Sequence, residues 1–370
     1  MTKEAKKIIG YLPWAAALVL PLLLVALFEG LKGNKALMDG WVSGVMAPVE
    51  QFLGRLWSVF PFSVAEVLTA LVLAGSVFWI IRAVVLAIRR REGKAFLRRL
   101  LALACAVLWL WAAVCWMWNA AYYASGFQEK SGLTVEPYSV ETLAQVTALF
   151  AQRTAEYSTQ VARDESGLFA EDREELFARG VPIYEELTRE FPCLELETSV
   201  RVKPLVFSRL QSILGFTGVY FPFTGEANVN VDAPLCLLPA TIAHEMAHQR
   251  MVASEQEANF VGIAAAVSCG DPVFQYSGWL MGLIQLCNAL YDVAPQTWQA
   301  IARSTFTAEL SQDWQDNNQY WAAMRSPVED RAEQVYDSFL KGNGQSLGIR
   351  SYGACVDLLV TYFGPAAGVG

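Results

Sequence analysis

Three residues in one short segment have the types and spacing needed to bind and use a metal ion. His244, Glu245 and His248 form the pattern His-Glu-x-x-His within a stretch whose composition favours a helix. Histidines four residues apart on a helix project from one face, so both imidazoles can bind one ion. The glutamate after the first histidine can take a proton from a water that the ion activates. The spacing predicts a Zn²⁺ site with His244 and His248 as ligands and Glu245 as general base.

The histidine content supports this interpretation of the pattern. The chain has 370 residues and only two histidines, and both belong to the pattern. Two histidines placed at random in this length would fall four apart about once in two hundred trials. The alternative is a helix that carries two partly exposed histidines and binds no metal.

Two glutamates downstream compete for the position of third ligand. A catalytic zinc site needs a third protein ligand, and with no further histidine in the chain it should be a carboxylate. Glu255 shares a helix face with Asn259, so Glu255 could bind the ion while Asn259 steadies a ligand. Glu257 is the alternative, although Ser254 and Glu257 also fit a capping box at a helix start. The sequence favours Glu255 and leaves Glu257 open.

The first third of the chain has the composition of a membrane domain. The whole chain is 54% hydrophobic and its mean hydropathy is positive. Three apolar stretches, each long enough to cross about 30 Å of hydrocarbon, predict transmembrane helices over residues 8–28, 62–88 and 100–123. A signal peptide is the alternative for the first stretch, but no small-residue cleavage site follows Phe28. We therefore predict a membrane domain over residues 1–123 and a globular domain over residues 124–370.

The distribution of charge predicts the topology of the membrane domain. Residues 1–123 carry 13 lysines and arginines against 6 acidic residues, whereas residues 124–370 carry 15 against 30. Residues 89–99 form a short, strongly basic loop, and the N-terminus is basic too, so both should be cytoplasmic. Three spans then place residues 124–370 outside the cell membrane. An acidic domain also argues against nucleic acid as a partner.

The segment between the first two predicted spans is neither purely apolar nor purely polar. Residues 29–61 mix Trp41, Val45, Phe52 and Trp57 with polar side chains. Such a mixture is typical of an amphipathic helix, which could lie on the membrane or pack against the globular domain. The sequence does not decide between the two positions.

The globular domain is predicted to be mainly helical with a small β-sheet. Helix patterns begin at Ser139, extend over residues 171–189, begin again at Ser326 with a proline in the first turn, and end the chain over residues 351–363. Residues 273–290 are apolar, but the polar residues among them favour a buried helix over a fourth span. Residues 217–221 and 227–231 flank a turn at residues 222–225 and predict a hairpin.

The segment that contains the histidines and Glu255 resembles a known class of enzymes. His244-Glu245-x-x-His248 followed by Glu255-x-x-Ala258-Asn259 is similar to the motifs of the gluzincin metallopeptidases. The chain resembles still more closely an uncharacterised family of bacterial membrane proteins with a zincin-like domain. The similar stretches are residues 222–230, 244–260, 340–345 and 351–352.

The resemblance implies an α+β zincin-like domain after the three transmembrane helices, with zinc at the named residues. The expected activity is hydrolysis of peptide bonds in a peptide or protein close to the lipid bilayer. In zincins, a strand beside the metal-binding helix often aligns the substrate, and residues 226–231 could do so by strand addition. Arg350 and Tyr352 could supply a donor to the oxyanion, although packing or surface roles are the favoured interpretation of both. The alternative function is a zinc-binding sensor or scaffold domain without turnover.

Overall fold

The computed structural model describes the backbone of residues 3–90, 93–197, 200–345 and 351–369. Helices make up 73% of the chain, and a small three-stranded sheet is present, so the prediction of a mainly helical protein is confirmed. The chain divides into two compact units. The first unit comprises Met1–Pro48 and Ala65–Ala124, and the second comprises Val49–Val64 and Ser125–Gly370. Val49–Val64 thus belongs to the same unit as the residues after Ala124.

The first third of the chain is helical almost throughout. Its helices are α1 (Lys3–Leu31), α2 (Lys35–Trp41), α3 (Ala47–Trp57), α4 (Val64–Arg90), α5 (Gly93–Val114) and α6 (Ala120–Tyr123). One π-helical turn joins α2 to α3, and another joins α5 to α6, so these pairs run on without a break in the helical backbone.

Two stretches in the described part of the chain are long and apolar enough to cross a membrane. They are Val64–Arg89 and Phe96–Tyr123, and few of their side chains are buried, as expected of lipid-facing helices. In α1 the apolar stretch that the structure describes is Ala16–Leu31, which is shorter than a span. The structure therefore has two candidate spans where the sequence predicts three.

The second unit contains the remaining helices. They are α7 (Phe127–Ser131), α8 (Val140–Ser158), α9 (Arg173–Arg179), α10 (Glu185–Glu190), α11 (Ser208–Ile213), α12 (Leu238–Gln249), α13 (Glu255–Ser268), α14 (Pro272–Val293), α15 (Pro295–Thr305), α16 (Ala308–Met324), α17 (Pro327–Gly342) and α18 (Ser351–Phe363). Their starts agree with the capping signals, because the side chains of Ser139 and Ser326 accept hydrogen bonds from the first turns of α8 and α17. The prediction of one continuous pattern over residues 171–189 is wrong, since Gly180 and Pro182 lie between α9 and α10.

The core of the second unit forms around α13 and α14. Both helices are buried along most of their length, which confirms the prediction of a buried helix at residues 273–290. Phe150 of α8, Trp279 of α14 and Phe363 of α18 pack ring to ring, with centroids 4.6–5.5 Å apart. Burial of large aromatic side chains is the dominant stabilising contribution in such a core. This core holds α12 and α13 in place.

The small sheet consists of β1 (Lys203–Pro204), β2 (Gly218–Phe221) and β3 (Glu226–Val229). The order is β1-β3-β2, with β2 antiparallel and β1 parallel to β3, so the predicted hairpin is confirmed. The hairpin turn requires Gly225, whose φ is +63°. Asn228 and Val229 of β3 are paired on both sides, so the expectation that residues 226–231 align a substrate by strand addition is wrong. Strand β2 lies at an edge instead.

The segment Val49–Val64 packs against this sheet. Lys203 Nζ donates a hydrogen bond to the Trp57 carbonyl at 2.7 Å and forms a buried ion pair with Glu226 at 2.6 Å. The Glu226 carboxylate also accepts a hydrogen bond from the Val64 backbone N–H at 3.1 Å. The sequence left open whether residues 29–61 lie on the membrane or pack against the globular domain. The second half of this segment packs against the globular unit.

Candidate metal centre

Helix α12 places the two histidines one turn apart. Pro239 lies in its first turn, and every residue from Leu238 to Ala247 is buried, so the helix is fixed within the core. The imidazole rings of His244 and His248 have centroids 4.8 Å apart, with their planes at 87°. Their Nε2 atoms are 3.2 Å apart. Both rings therefore point the same ring nitrogen at one position.

A tight reversal brings the next helix back beside the histidines. Only residues 250–254 separate α12 from α13, and Met251 takes a left-handed conformation with φ +61° to make the turn. The Val252 carbonyl lies 2.7 Å from His248 Nδ1. A proton on Nδ1 satisfies this carbonyl and leaves the Nε2 lone pair for an ion, which is the usual arrangement of a histidine ligand.

The two helices cross closely at Gly262. A Cβ at this position would lie 2.8 Å from both the Cα and the backbone N of His244. Only a glycine permits this approach, since real Cβ atoms do not come so near to backbone atoms. The close crossing sets the N-terminal end of α13, and with it Glu255, against the histidine face of α12.

Glu255 completes a cluster of three ligand side chains. Its Oε2 lies 3.3 Å from His244 Nε2 and its Oε1 lies 3.8 Å from His248 Nε2. One ligand atom from each residue falls within 4.8 Å of the others. Nitrogen and oxygen atoms bound tetrahedrally at about 2.0–2.2 Å from one ion would lie about 3.3–3.6 Å apart. The cluster therefore fits a small, tetrahedrally coordinated cation.

Glu257, the alternative ligand, is engaged elsewhere. Its two carboxylate oxygens accept hydrogen bonds from the backbone N–H groups of Phe127 and Gln128, both at 2.9 Å. It thereby caps the N-terminus of α7. The predicted capping box is wrong, because Ser254 makes no side-chain cap bond and Glu257 does not turn back to its own helix. The structure brings Glu255, and not Glu257, to the histidines.

Asn259 lies on the same side as the cluster, as its spacing from Glu255 predicts. Its side chain is close enough to His244 to raise the pKa of that imidazole. Neither His244 Nδ1 nor Asn259 Nδ2 makes a hydrogen bond of standard geometry with a described residue. Asn259 is thus a neighbour of the His244 ring but does not hold it by a hydrogen bond in this arrangement.

Glu245 lies against the edge strand of the sheet. A Cβ at Gly218 in β2 would come within 2.7 Å of the Glu245 carboxyl carbon, so the absence of a side chain there makes room for the carboxylate. Glu245 is 3% exposed, and its Oε2 has no hydrogen-bond partner among the described residues. Burial raises the pKa of Glu245 to about 8, and the His244 charge opposes this shift. A buried carboxyl of raised pKa is typical of a group that transfers protons.

The three ligand groups influence one another's charge. Burial raises the pKa of Glu255, but the His244 hydrogen bond and the charges of both histidines outweigh it and bring the pKa to about 2. Burial lowers the pKa of His244, but the Glu255 carboxylate outweighs it and the net shift is upward. Burial lowers the pKa of His248. A permanently ionised Glu255 gives the cluster the negative charge that a divalent cation needs.

Tyr336 in α17 is a member of the site that sequence reasoning missed. Its hydroxyl donates a short hydrogen bond to Glu255 Oε1, and its ring packs edge-on against Phe216 at 5.5 Å. Helix α17 was predicted from its capping signals, but no spacing in the sequence connects residue 336 with residue 255. The sequence also does not predict that Gly218 makes room for the Glu245 carboxyl, because no spacing connects residue 218 with residue 245. Arg350 lies outside the described residues, and so does the side chain of Tyr352.

The fold and the cluster together define a mainly helical protein with two candidate membrane spans and a candidate metal centre in its second unit. A family model described as a protein of unknown function (DUF3810) matches residues 41–360. The match covers most of the chain, so the protein belongs to the DUF3810 family. Comparison with curated proteins gave no match, and neither did comparison with solved structures.

Proposed function

We propose that this protein is a membrane-anchored, zinc-dependent metallopeptidase. The observation that carries the proposal is the cluster of His244, His248 and Glu255, with the buried carboxyl of Glu245 next to its first ligand. Two histidines and one glutamate are the ligands of a common class of catalytic zinc sites. The glutamate after the first histidine is the general base in that class.

Each residue has a separate role in this proposal. His244 and His248 would hold the ion through Nε2, and Glu255 would hold it through a carboxylate oxygen. A bound Zn²⁺ would act as a Lewis acid, lowering the pKa of water and polarising the peptide carbonyl. Glu245 would take the proton from the attacking water and return it to the leaving amine.

Strand β2 offers a place for an extended substrate. The Asn230 N–H donates a hydrogen bond to the Thr217 carbonyl, so the backbone groups of Thr217 point towards the neighbouring strand. Because this direction alternates along an antiparallel strand, the backbone groups of Gly218 and Tyr220 point away from β3. No described residue hydrogen-bonds these outward groups. A peptide that paired with β2 would pass Gly218, which lies against the Glu245 carboxyl. The unpaired edge of β2 therefore supports the peptidase proposal. It takes the role that the sequence suggested for residues 226–231.

We also propose that α1 is the third membrane span and that residues 124–370 lie outside the cell membrane. Helix α1 has 29 residues, which is enough to cross the hydrocarbon. The basic loop over residues 89–99 supports a cytoplasmic position between the second and third spans. A substrate would then be an extracytoplasmic peptide or a segment of a membrane protein.

Turnover of peptides by the purified protein tests the proposed activity. The full chain in detergent, loaded with Zn²⁺, would be screened against a peptide library, and the best substrate would be tested again with Glu245→Gln. The expected loss of kcat is about 10²–10⁴-fold, with zinc still bound, because this substitution removes the base but no ligand. Equal activity of the two proteins would refute the assignment of Glu245. Zinc binding without any turnover would favour a sensor or scaffold.

A further inference from the structure

Helix α3 carries an exposed apolar stripe along one face. Val49, Phe52, Leu56 and Val59, the last of them just beyond the helix, follow one another at intervals of three, four and three residues. This is the spacing of one helix face. Phe52 is 59% exposed and Val59 is 76% exposed, which is unusual for large apolar side chains of a globular unit.

The opposite face of α3 is fastened to the sheet of the same unit. Glu50 is buried and accepts a hydrogen bond from the Tyr220 hydroxyl of β2 at 2.7 Å. Gly54 packs directly against the backbone of Gly225, leaving no room for a side chain at either position. Glu50 and Gly54 therefore face the protein, and the four apolar residues of the stripe face outward. This is the reverse of an ordinary surface helix, whose apolar face is turned to the core.

The stripe continues towards the start of a candidate membrane span. Phe60 and Phe62 follow it and are exposed as well, and the rings of Trp57, Phe60 and Phe62 form a row with centroids 6.3 and 5.4 Å apart. Val64 then begins α4, whose exposed side chains, such as Leu71 and Val72, are also apolar. The Val64 N–H donates a hydrogen bond to the buried Glu226 carboxylate, so the segment Val49–Val64 is fixed to the sheet of its own unit at this end as well.

We infer that the outward face of α3 lies in the lipid bilayer interface and seats the second unit on the membrane. The occupant of this surface is lipid, because the stripe is continuous in the chain with a helix that is itself apolar on its exposed faces. Aromatic residues at the end of a span are typical of the membrane–water interface. This inference rests on the proposed membrane location, but it requires neither zinc nor peptidase activity.

The position of α3 in the bilayer interface affects access to the candidate metal centre. Helix α3 would have lipid on one face and β2 on the other. A single helix would then separate the bilayer from the strand beside Glu245. Strand β2 would therefore remain within about 10 Å of the interface, which is the diameter of one helix. Substrates that reach β2 would be segments close to the membrane surface, such as the flanks of other transmembrane helices.

Nitroxide labels on single cysteines, introduced into the full chain in lipid nanodiscs, test this inference. The background would be Cys193→Ser, because Cys193 is the exposed cysteine among the seven, and it would be labelled alone to measure residual signal. Phe52→Cys is the test position. Val72→Cys in α4 is the control for lipid, and Val335→Cys in α17, which is 71% exposed, is the control for water. Accessibility to oxygen and to a water-soluble nickel complex is then measured at each position.

The inference predicts that the ratio of oxygen to nickel accessibility at residue 52 is several-fold higher than at residue 335 and approaches that at residue 72. A ratio at residue 52 equal to that at residue 335 would overturn it. Low accessibility to both reagents would place the stripe in a protein interface and would also overturn it. If residue 72 itself proved accessible to nickel, the proposed membrane location would fail first, and the two failures are thereby distinguished.

Discussion

At the scale of single residues, the choice between Glu255 and Glu257 is decided by what each carboxylate already binds. Both lie in the first turn of α13, two positions apart, and therefore on different sides of the helix. Glu255 meets the two histidines and Tyr336, whereas Glu257 meets the backbone of α7. The two glutamates should accordingly fail in different ways when they are substituted.

Glu255→Gln and Glu257→Gln form a matched pair. We expect Glu255→Gln to weaken zinc binding by more than about 100-fold, because it removes a charged ligand and not a supporting group. We expect Glu257→Gln to keep zinc and to lose about 1–2 kcal/mol of stability, because two charge-assisted hydrogen bonds to α7 are weakened. Zinc titration and thermal unfolding of both proteins check this. The reverse result would make Glu257 the ligand.

Gly218→Ala tests the position of Glu245. The three atoms nearest to the added methyl group all belong to the Glu245 side chain, so we expect that carboxyl to be displaced, zinc to remain and kcat to fall about 10²-fold. Gly342→Ala is the matched control, since its Cβ would meet nothing within 4 Å. An unchanged kcat in Gly218→Ala would show that Glu245 does not act from the place where the structure puts it.

At the scale of elements, the site depends on helices that are distant from one another in sequence. Helix α12 supplies the histidines and α13 supplies Glu255, and their close crossing at Gly262 makes the cluster possible. Helix α17 adds Tyr336 from the C-terminal part of the chain, although Leu340 is the only residue along it that is buried. Helix α3 supports β2 from the other side through Glu50.

Tyr336→Phe tests the contribution of α17. The substitution removes the hydroxyl that orients Glu255 but keeps the ring that packs on Phe216. Supporting hydrogen bonds of this kind are typically worth 10–100-fold in metal affinity, and we expect a loss of about that size in a zinc titration. Tyr320→Phe is the control, because that hydroxyl bonds Ser212 and Asp232 instead. Equal affinities in the two variants would remove Tyr336 from the site.

Glu50→Gln tests the contact between α3 and β2 through its dependence on pH. Burial raises the pKa of Glu50 well above its ordinary value, and the Tyr220 hydrogen bond opposes this only in part. A carboxyl whose pKa is higher in the folded state than in the unfolded state binds protons more tightly when folded. Its contribution is therefore favourable at low pH and is lost as the pH rises from the unfolded pKa towards the folded one. Glutamine still accepts from Tyr220 but cannot ionise.

We therefore expect Glu50→Gln to be more stable than the unmodified protein at pH 8, with a smaller difference at pH 5. Each unit of pKa shift corresponds to about 1.4 kcal/mol. Thermal unfolding at the two pH values measures the effect, and Glu186→Gln, at a half-exposed surface carboxylate, is the control. A loss of stability in Glu50→Gln that is the same at both pH values would contradict a raised pKa of Glu50.

At the scale of the whole molecule, local sequence signals predicted individual helices, the hairpin and the histidine motif. Tertiary contacts determined how these elements pack together. The two histidines, the hairpin over residues 218–229 and the start of α17 follow from spacing, turn residues and capping, which act over a few positions. Tyr336, Gly218 and the docking of α3 were not predictable, because each depends on contacts between residues about 27 to 170 positions apart. The spans depend on composition alone, and the structure supports two of the three predicted.

We propose that the cluster of His244, His248 and Glu255 holds zinc, and counting the bound metal tests this proposal. The full chain would be purified in detergent and analysed for zinc by mass spectrometry, beside His248→Ala. We expect about one zinc per chain in the unmodified protein and loss of that zinc in the variant, because two remaining ligands do not make a stable site. Absence of zinc from both proteins after loading, or equal zinc in both, would contradict it.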